Sequence, residues 1–217
     1  MINLQLTGTR EELLRAITAL HPSWSALERE AREHVGPVNK KEVWLEQAAA
    51  LAVLASQYDR PSGRILEIGA NRGYTAAVMH FAAPQAKVHT LEPDPTRRKI
   101  ARENVRPLGV AVRPEVSAAW LELCVRDGIR YDMIFVDGDH NRVRADLPFW
   151  NLLRRNGLFV HHDYSRPGSA RECPPVYDAL NEFAARMERE PDVLVVDDSG
   201  VGLWGMYRRA MSEVWDA

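Results

Sequence analysis

The stretch ILEIGANRGYT, residues 65–75, decides how the rest of this 217-residue chain is interpreted. A mostly apolar run leads into a turn that contains Gly69 and Gly73, and a helical stretch begins directly after the second glycine. Glycine lets the backbone approach a ligand closely, and the first turn of a helix has N–H groups that are free to bind one. The stretch therefore predicts a strand, a ligand-binding turn and a helix, in that order.

The same alternation of apolar runs and helical stretches continues towards the C-terminus. Further strands are expected at KVHTLE, VAVRP, YDMIFVD, GLFVHHD, DVLVVDD and VGLWGMYRR, and helices over residues 73–82, 95–105, 117–128, 142–155 and 174–190. Repeated strand–helix units with apolar strands predict an α/β fold with a doubly wound, Rossmann-like sheet that is mostly parallel. The last two strands are too close for a helical crossover, so they should form an antiparallel hairpin. Counting from ILEI, we expect the strand order 3-2-1-4-5-7-6.

The N-terminal part of the chain, residues 1–58, is expected to be helical. Thr9 and Glu12 form a T-x-x-E capping box, which is typical of the start of a helix. Three helices are expected, over residues 12–20, over residues 26–35 between Ser25 and the pair Gly36-Pro37, and over residues 40–58. We therefore divide the chain into a helical N-terminal cap, residues 1–58, and a ligand-binding domain, residues 59–217. The cap is expected to cover a site or to form a homodimer.

The overall composition excludes several classes of protein. Hydrophobic residues make up 46% and charged residues 27% of the chain, as in ordinary globular proteins. A net charge of -2 provides no field that would attract nucleic acid or an anionic membrane. No apolar run reaches the roughly 18 residues that a membrane span needs, and no secretion signal is apparent. Cys124 and Cys173 are not in metal-ligand spacing. We therefore expect a cytoplasmic protein with no nucleic-acid or membrane partner.

Two carboxylates accompany the glycine turn. Glu67 stands just before it, which gives the pattern E-x-G-x-x-x-G, whereas Asn71 occupies the middle glycine position of a dinucleotide fingerprint. Glu92 ends the next strand, where a carboxylate can accept hydrogen bonds from ribose hydroxyls. Each feature alone would also fit a tight turn or a solvated acid. Together they favour a cofactor that contains a nucleoside.

These motifs resemble those of class I S-adenosylmethionine-dependent methyltransferases. The resemblance rests on E-x-G-x-x-x-G, on LEPD after the second strand and on a buried acid at the fourth strand, and it covers residues 64 to about 208. It implies that the turn lines the methionine end of the cofactor, that Glu67 helps to place the amino group and that Glu92 holds the ribose. The implied cofactor-binding residues are Glu67, Gly69, Ala70, Gly73, Glu92, Glu115, Ser117 and Asp137, with Glu115 or Ser117 at the adenine.

A closer resemblance comes from VDGDH and HHDY, which follow the fourth and fifth strands. These segments look like those of small-molecule O-methyltransferases, a subgroup that includes antibiotic-sugar and macrolide-tailoring enzymes. The resemblance implies that Asp137 binds magnesium together with the residue pair that ends the fifth strand, His162 and Asp163. It also implies that Asp139 acts as a general base.

The chemistry of these residues, taken without the resemblance, also predicts a cation site with a base beside it. Neighbouring strands lie about 4.8 Å apart, so Asp137 and Asp163 could place carboxylates around one cation. A hydroxyl bound there would become more acidic, and Asp139 or His140 could take its proton. Imidazole suits zinc, iron or copper better than magnesium, so His162 could instead be the base of a metal-free site. If the strand stays regular, His161 and not His162 shares a face with Asp163.

We therefore expect an enzyme that transfers a methyl group from S-adenosylmethionine to a hydroxyl of a small molecule, such as a sugar or natural product, with or without the aid of a divalent metal. The candidate catalytic residues are Asp139, His140 and His162. Three alternatives are a metal-independent N- or C-methyltransferase, an NAD-dependent oxidoreductase and a non-catalytic cofactor-binding protein. Asn71 counts against the oxidoreductase. In the non-catalytic reading, Asp139 or Asn141 would simply cap the helical stretch that follows the fourth strand.

Overall fold

Alternating side chains along the strands separate two apolar clusters, one on each face of an eight-stranded sheet. The computed structural model describes residues 1–36, 43–169 and 171–215. Within these residues the strands are β1 (Leu4–Gly8), β2 (Arg64–Ile68), β3 (Lys87–Leu91), β4 (Ala111–Arg113), β5 (Tyr131–Val136), β6 (Leu153–Ser165), β7 (Val193–Asp197) and β8 (Val201–Arg208).

Helices cover both faces of this sheet. They are α1 (Arg10–Thr18), α2 (Trp24–Val35), α3 (Leu45–Ser56), α4 (Tyr74–Ala82), α5 (Pro95–Val105), α6 (Ser117–Arg126), the short α7 (Val143–Asp146) and α8 (Pro174–Arg186). In β2, Ile65 belongs to the cluster that α1 to α5 cover, and Leu66 belongs to the cluster under α6 to α8. This alternation is what a sheet covered on both faces requires. No helix in the described part of the chain is both long and apolar enough to cross a membrane.

The strand order is β1-β7-β8-β6-β5-β2-β3-β4. The predicted Rossmann-like sheet with a C-terminal antiparallel hairpin is confirmed, because β7 and β6 both pair antiparallel with β8 while the other pairs are parallel. From β2 onwards the order also agrees with the predicted series. The prediction of an entirely helical N-terminus is wrong at residues 4–8, since β1 pairs parallel with β7. This edge strand buries only Leu4, so it lacks the run of apolar residues that marks a strand in a sequence.

The predicted helices largely match the observed ones. Thr9 and Glu12 form the expected capping box at the start of α1, and Gly36 ends α2. Pro37 and the predicted start of the third helix, residues 40–42, lie outside the described residues. The prediction of one helix over residues 142–155 is wrong. Pro148 lacks an N–H group, and the chain there forms only α7 and a 3-10 helix, Leu147–Leu152, before β6 begins.

The parallel strands bring their carboxyl ends to one edge of the sheet. Ile68 of β2 is paired with Leu91 of β3 on one side and with Val136 of β5 on the other. Val136 is in turn paired with His161 of β6. The segments that follow these strands, which carry most of the candidate residues, therefore meet at this edge.

Candidate active site

The turn after β2 and the turn after β5 touch each other at Gly69. This glycine has a φ of 105°, and a Cβ atom added there would lie 2.2 Å from the carbonyl oxygen of Asp137. The Asp137 N–H donates a hydrogen bond to the Ile68 carbonyl at 2.8 Å, which holds the two turns together. Only glycine combines this backbone conformation with this close approach. Gly69 therefore fixes the position of Asp137 beside the glycine turn.

Gly73 has a different task from Gly69. It caps α4 with a φ of 91°, and an added Cβ would lie 2.7 Å from Cγ1 of Val105 on α5. The structure thus places Gly73 at the packing of α4 against α5, and not on the wall of the cavities described below.

A cavity of about 440 Å³ opens between the ends of β2, β3 and β5. Of the predicted cofactor-binding residues, its wall contains Gly69, Glu92, Glu115, Ser117 and Asp137. Ala70 lines a much smaller neighbouring cavity, which also contacts Gly69 and Asp137. The structure therefore brings six of the eight predicted residues together and leaves Glu67 and Gly73 outside.

Glu92 is held rigidly at the wall of this large cavity. Its Oε2 accepts a hydrogen bond from the Asn71 N–H at 2.8 Å, and its Oε1 accepts one from the Asp94 N–H at 3.1 Å. The side chain is 5% exposed, so burial and two backbone donors fix its orientation. Each carboxylate oxygen has a second lone pair that could accept from a ligand hydroxyl. This geometry fits the predicted contact with a ribose.

Glu67 lies beneath the glycine turn and is fully buried. Its carboxylate accepts hydrogen bonds from the hydroxyls of Thr75 on α4 and Thr90 on β3. Burial raises the pKa of Glu67 to about 7, although both threonine hydrogen bonds act in the opposite direction. The residue thus links β2, β3 and α4 from inside the protein.

The second group of candidate residues forms one compact cluster, which we call the histidine–carboxylate centre. It consists of Asp137, His140, His162 and Asp163, each of which offers a ligand atom within 4.8 Å of the others. His162 Nδ1 lies 2.9 Å from Asp137 Oδ1 and 3.5 Å from Asp163 Oδ1. His140 Nε2 lies 3.4 Å from Asp163 Oδ2. The β5–β6 register explains the first contact, because Val136 pairs with His161 and the next residues on each strand then face each other.

A local irregularity in β6 decides which histidine enters this centre. The pairing of β6 with β8 shifts register between His161 and Tyr164, and Asp163 has a left-handed φ of 52°. His162 and Asp163 can therefore face the same side, which regular alternation would forbid. His161 is 1% exposed and its Nδ1 lies 2.6 Å from the His162 carbonyl oxygen. Burial lowers the pKa of His161 to about 4, so this ring is neutral.

Asp137 and His162 each stabilise the charged form of the other. Burial favours the neutral forms of Asp137 and His162, but their mutual attraction and hydrogen bond outweigh it. As a result the pKa of Asp137 lies below its usual range, and the pKa of His162 is raised to about 9. The two residues therefore form an ion pair at neutral pH.

Asp139 lies outside the centre. Its Oδ1 accepts a hydrogen bond from the Asn141 N–H at 3.0 Å and caps the 3-10 helix His140–Arg142. The side chain is exposed and lines the large cavity. Of the three candidate bases, Asp139, His140 and His162, the structure thus places both histidines in the centre and gives Asp139 a capping contact.

Another cavity, of about 180 Å³, also contacts Asp137. It is lined by the four residues of the centre and by Trp44, Gln47, Arg171 and Val201. Gln47 Oε1 lies 2.8 Å from His162 Nε2. The sequence gives no sign of this contact, because Gln47 sits within the apolar helix α3 and no motif connects it to β6. Trp44 is partly buried at the wall of this cavity.

The centre fits a divalent metal ion. Its two carboxylates and two imidazoles are donors that such ions accept. Within the described residues, the buried His140 Nε2 has no hydrogen-bond partner, which marks an unused donor atom in the middle of the group. The large cavity likewise fits a nucleoside-containing cofactor, since it joins the glycine turn to the anchored carboxylate of Glu92.

Comparison with known proteins agrees with this geometry. Residues 66–164 match the family model of a methyltransferase domain. The predicted resemblance to class I methyltransferases is confirmed. A stretch of 118 residues is 33% identical to the catechol O-methyltransferase of Mycobacterium tuberculosis and covers 53% of this chain and 53% of that protein. The match thus spans about half the length of this curated relative.

Solved methyltransferase structures share most of this architecture. The O-methyltransferase from Bacillus cereus in complex with SAH has a TM-score of 0.61 at 19% identity, over 86% of this chain and 99% of that chain. The O-methyltransferase TomG from Streptomyces achromogenes, in complex with SAM and involved in tomaymycin synthesis, has a TM-score of 0.59 at 20% identity, over 85% and 89% of the two chains. At these identities the likeness shows that the chain has the methyltransferase fold.

Proposed function

We propose that this protein transfers the methyl group of S-adenosylmethionine to a hydroxyl oxygen of a small molecule. The observation that carries the proposal is the position of Asp137, which lies on the walls of both the 440 Å³ cavity and the 180 Å³ cavity. A methyl donor and an acceptor bound in the two cavities would therefore meet at this residue. The methyltransferase-domain match over residues 66–164 and the O-methyltransferases named above support the same reaction.

The larger cavity is the cofactor site in this proposal. S-adenosylmethionine, when bound, supplies a methyl group on a positively charged sulfur. Glu92 accepts hydrogen bonds from the ribose hydroxyls, and the backbone at Gly69 allows close approach of the methionine end. Glu115 and Ser117 line the same cavity, and the adenine would lie beside them.

The 180 Å³ cavity is the acceptor site in this proposal. Asp137, His162 and Asp163 would hold a divalent metal ion, which, when bound, makes an acceptor hydroxyl more acidic. Trp44 also lines this cavity, and the guanidinium of Arg171, another lining residue, lies 5.4 Å from the centroid of its ring. With a volume of about 180 Å³, this cavity admits only a small group of the acceptor. We infer a small-molecule acceptor from this size.

His140 takes the hydroxyl proton at Nε2 in this proposal. This buried atom lies within the centre and, in the described part of the chain, has no hydrogen-bond partner. Asp163 at 3.4 Å and Asp137 at 3.8 Å would stabilise the imidazolium that forms. The remaining requirement is alignment of the acceptor oxygen, the methyl carbon and the sulfur.

The test is a pair of measurements on the purified protein. Isothermal titration calorimetry with S-adenosylhomocysteine and with NAD tests the cofactor, and we expect binding of the first alone. Methyl transfer is then followed with radiolabelled S-adenosylmethionine and a panel of catechols, sugars and other polyhydroxylated small molecules, with and without divalent ions. Binding of NAD without S-adenosylhomocysteine would refute the proposal and favour an oxidoreductase.

A further inference from the structure

We propose that Asp137, His162 and Asp163 select a transition-metal ion such as Co²⁺ or Zn²⁺ over Mg²⁺, and that Gln47 holds His162 in the tautomer that binds it. This inference rests on the proposed function in so far as that function places a metal at these three residues. It adds the identity of the metal and a positioning residue from α3.

The choice of metal follows from the ligand atoms. Mg²⁺ prefers six oxygen ligands in near-ideal octahedral geometry, whereas imidazole nitrogen suits zinc, iron, cobalt and copper. His162 Nδ1 points between Asp137 Oδ1, at 2.9 Å, and Asp163 Oδ1, at 3.5 Å. A cation that touches both carboxylates therefore also meets a nitrogen donor. Ions later in the first transition series gain more from such a donor than Mg²⁺ does.

The tautomer of His162 is set from the opposite side of its ring. Nε2 lies 2.8 Å from Gln47 Oε1, an oxygen that can only accept a hydrogen bond. With a metal ion bound in place of the proton that Nδ1 shares with Asp137, the remaining ring proton belongs on Nε2, and the lone pair of Nδ1 faces the space between the two carboxylates. Histidine ligands of metals commonly donate their other N–H to an oxygen in this way.

The orientation of the His162 ring is also fixed by its surroundings. Its side chain is 12% exposed, and the edge of Phe135 packs against it at 6.5 Å between ring centroids and an interplanar angle of 70°. Gln47 is 1% exposed and belongs to α3, whose residues from Glu46 to Ala55 are all buried. The hydrogen-bond acceptor thus sits on a helix that is itself held in the core. His162 is therefore presented to the metal in one orientation.

The test is direct metal binding by the full-length protein after treatment with a chelator. Isothermal titration calorimetry compares Co²⁺, Zn²⁺ and Mg²⁺, and the absorption spectrum of the Co²⁺ form reports nitrogen ligation. We expect Co²⁺ and Zn²⁺ to bind tighter than Mg²⁺ by on the order of tenfold or more. His162→Glu, which replaces the nitrogen with oxygen, should shrink this ratio and change the Co²⁺ spectrum. Asp139→Asn, at the neighbouring acid outside the centre, should change neither.

Gln47 is tested with two variants. Gln47→Met removes the acceptor and should weaken Co²⁺ binding by about 10–100-fold. Gln47→Glu keeps an oxygen at the same reach and should restore the affinity. A role of Gln47 in packing alone would make the two variants alike, which would overturn its assignment. Circular dichroism and the affinity for S-adenosylhomocysteine check that each variant is folded.

The wild-type protein alone can refute the choice of metal. An affinity for Mg²⁺ that equals or exceeds the affinity for Co²⁺ would overturn the inference. It would not contradict metal-assisted methyl transfer. Binding of none of the three ions would overturn the inference and the metal in the proposed function. Failure to bind S-adenosylhomocysteine, measured without metal, would instead refute the methyl transfer itself.

Discussion

Gly69 and Asp137 are in backbone contact, with no room for a side chain between them. A Cβ at position 69 would lie 2.2 Å from the Asp137 carbonyl oxygen and 2.7 Å from its carbonyl carbon. The contact joins the glycine turn after β2 to the turn after β5 that carries Asp137. One glycine therefore fixes the distance between the proposed cofactor cavity and the histidine–carboxylate centre.

The first prediction concerns this contact. Gly69→Ala should lower the free energy of unfolding by several kcal/mol and abolish binding of S-adenosylhomocysteine, because both the left-handed φ and the space exclude a methyl group. Gly109→Ala is the matched control, since Gly109 has a φ of 76° but nothing within 4 Å of an added Cβ. This control variant should lower the free energy of unfolding only by the cost of placing alanine in a left-handed conformation, about 1–2 kcal/mol. Urea unfolding and calorimetry measure both effects. Equal losses in the two variants would show that the contact with Asp137 is unimportant.

The second prediction concerns the ribose contact. Glu92→Gln should weaken binding of S-adenosylhomocysteine by about 1–3 kcal/mol, the usual cost of losing a charged hydrogen-bond partner. The control is Glu103→Gln, which removes the same charge from an exposed position on α5. Calorimetry at one salt concentration compares the three proteins. An unchanged affinity in the Glu92 variant would place the ribose elsewhere.

The sheet could be predicted from the sequence because its strands are buried on both faces. Runs such as YDMIFV and LFV leave no alternative to a covered parallel sheet, and the hairpin follows from the short gap between β7 and β8. The edge strand β1 escaped prediction because it is half exposed and derives its stability from pairing with β7. Local propensity cannot reveal a strand that depends on a partner almost 190 residues away.

The sequence identified most residues of the candidate site but not how they are arranged. Residue types at strand ends identified Asp137, His162 and Asp163, because parallel strands bring those ends together. The sequence could not choose between His161 and His162, since the choice depends on the irregularity in β6 next to β8. It also missed Gln47, whose contact with His162 depends on how α3 packs across the sheet. Tertiary packing decides both points.

The third prediction distinguishes His140 from Asp139 as the general base. His140→Gln should reduce kcat by about 10²–10⁴-fold, because general-base catalysis contributes that much, while metal affinity and KM stay close to those of the wild type. Asp139→Asn should have a much smaller effect, since Asp139 caps the 3-10 helix and lies outside the centre. Steady-state kinetics with the best acceptor from the panel gives the ratio. A larger loss in the Asp139 variant would reverse the assignment.

The fourth prediction concerns the pH dependence of stability in the absence of cofactor. Burial raises the pKa of Glu67 from a usual value of 4.5 to about 7, so the folded protein holds this proton more tightly than the unfolded chain does. The stability due to the protonated carboxyl is therefore complete below pH 4.5 and is lost as the pH rises towards 7. Across this interval the wild type should lose about 3 kcal/mol relative to Glu67→Gln, whose side chain cannot ionise. Urea unfolding at pH 3.5, 4.5, 6 and 7.5 measures the difference at each pH. Parallel stability curves for the two proteins would show that Glu67 does not titrate in this range. Glu12→Gln is the control, because exposed Glu12 has a lowered pKa: the wild type should gain stability relative to this variant as the pH rises towards 4.5.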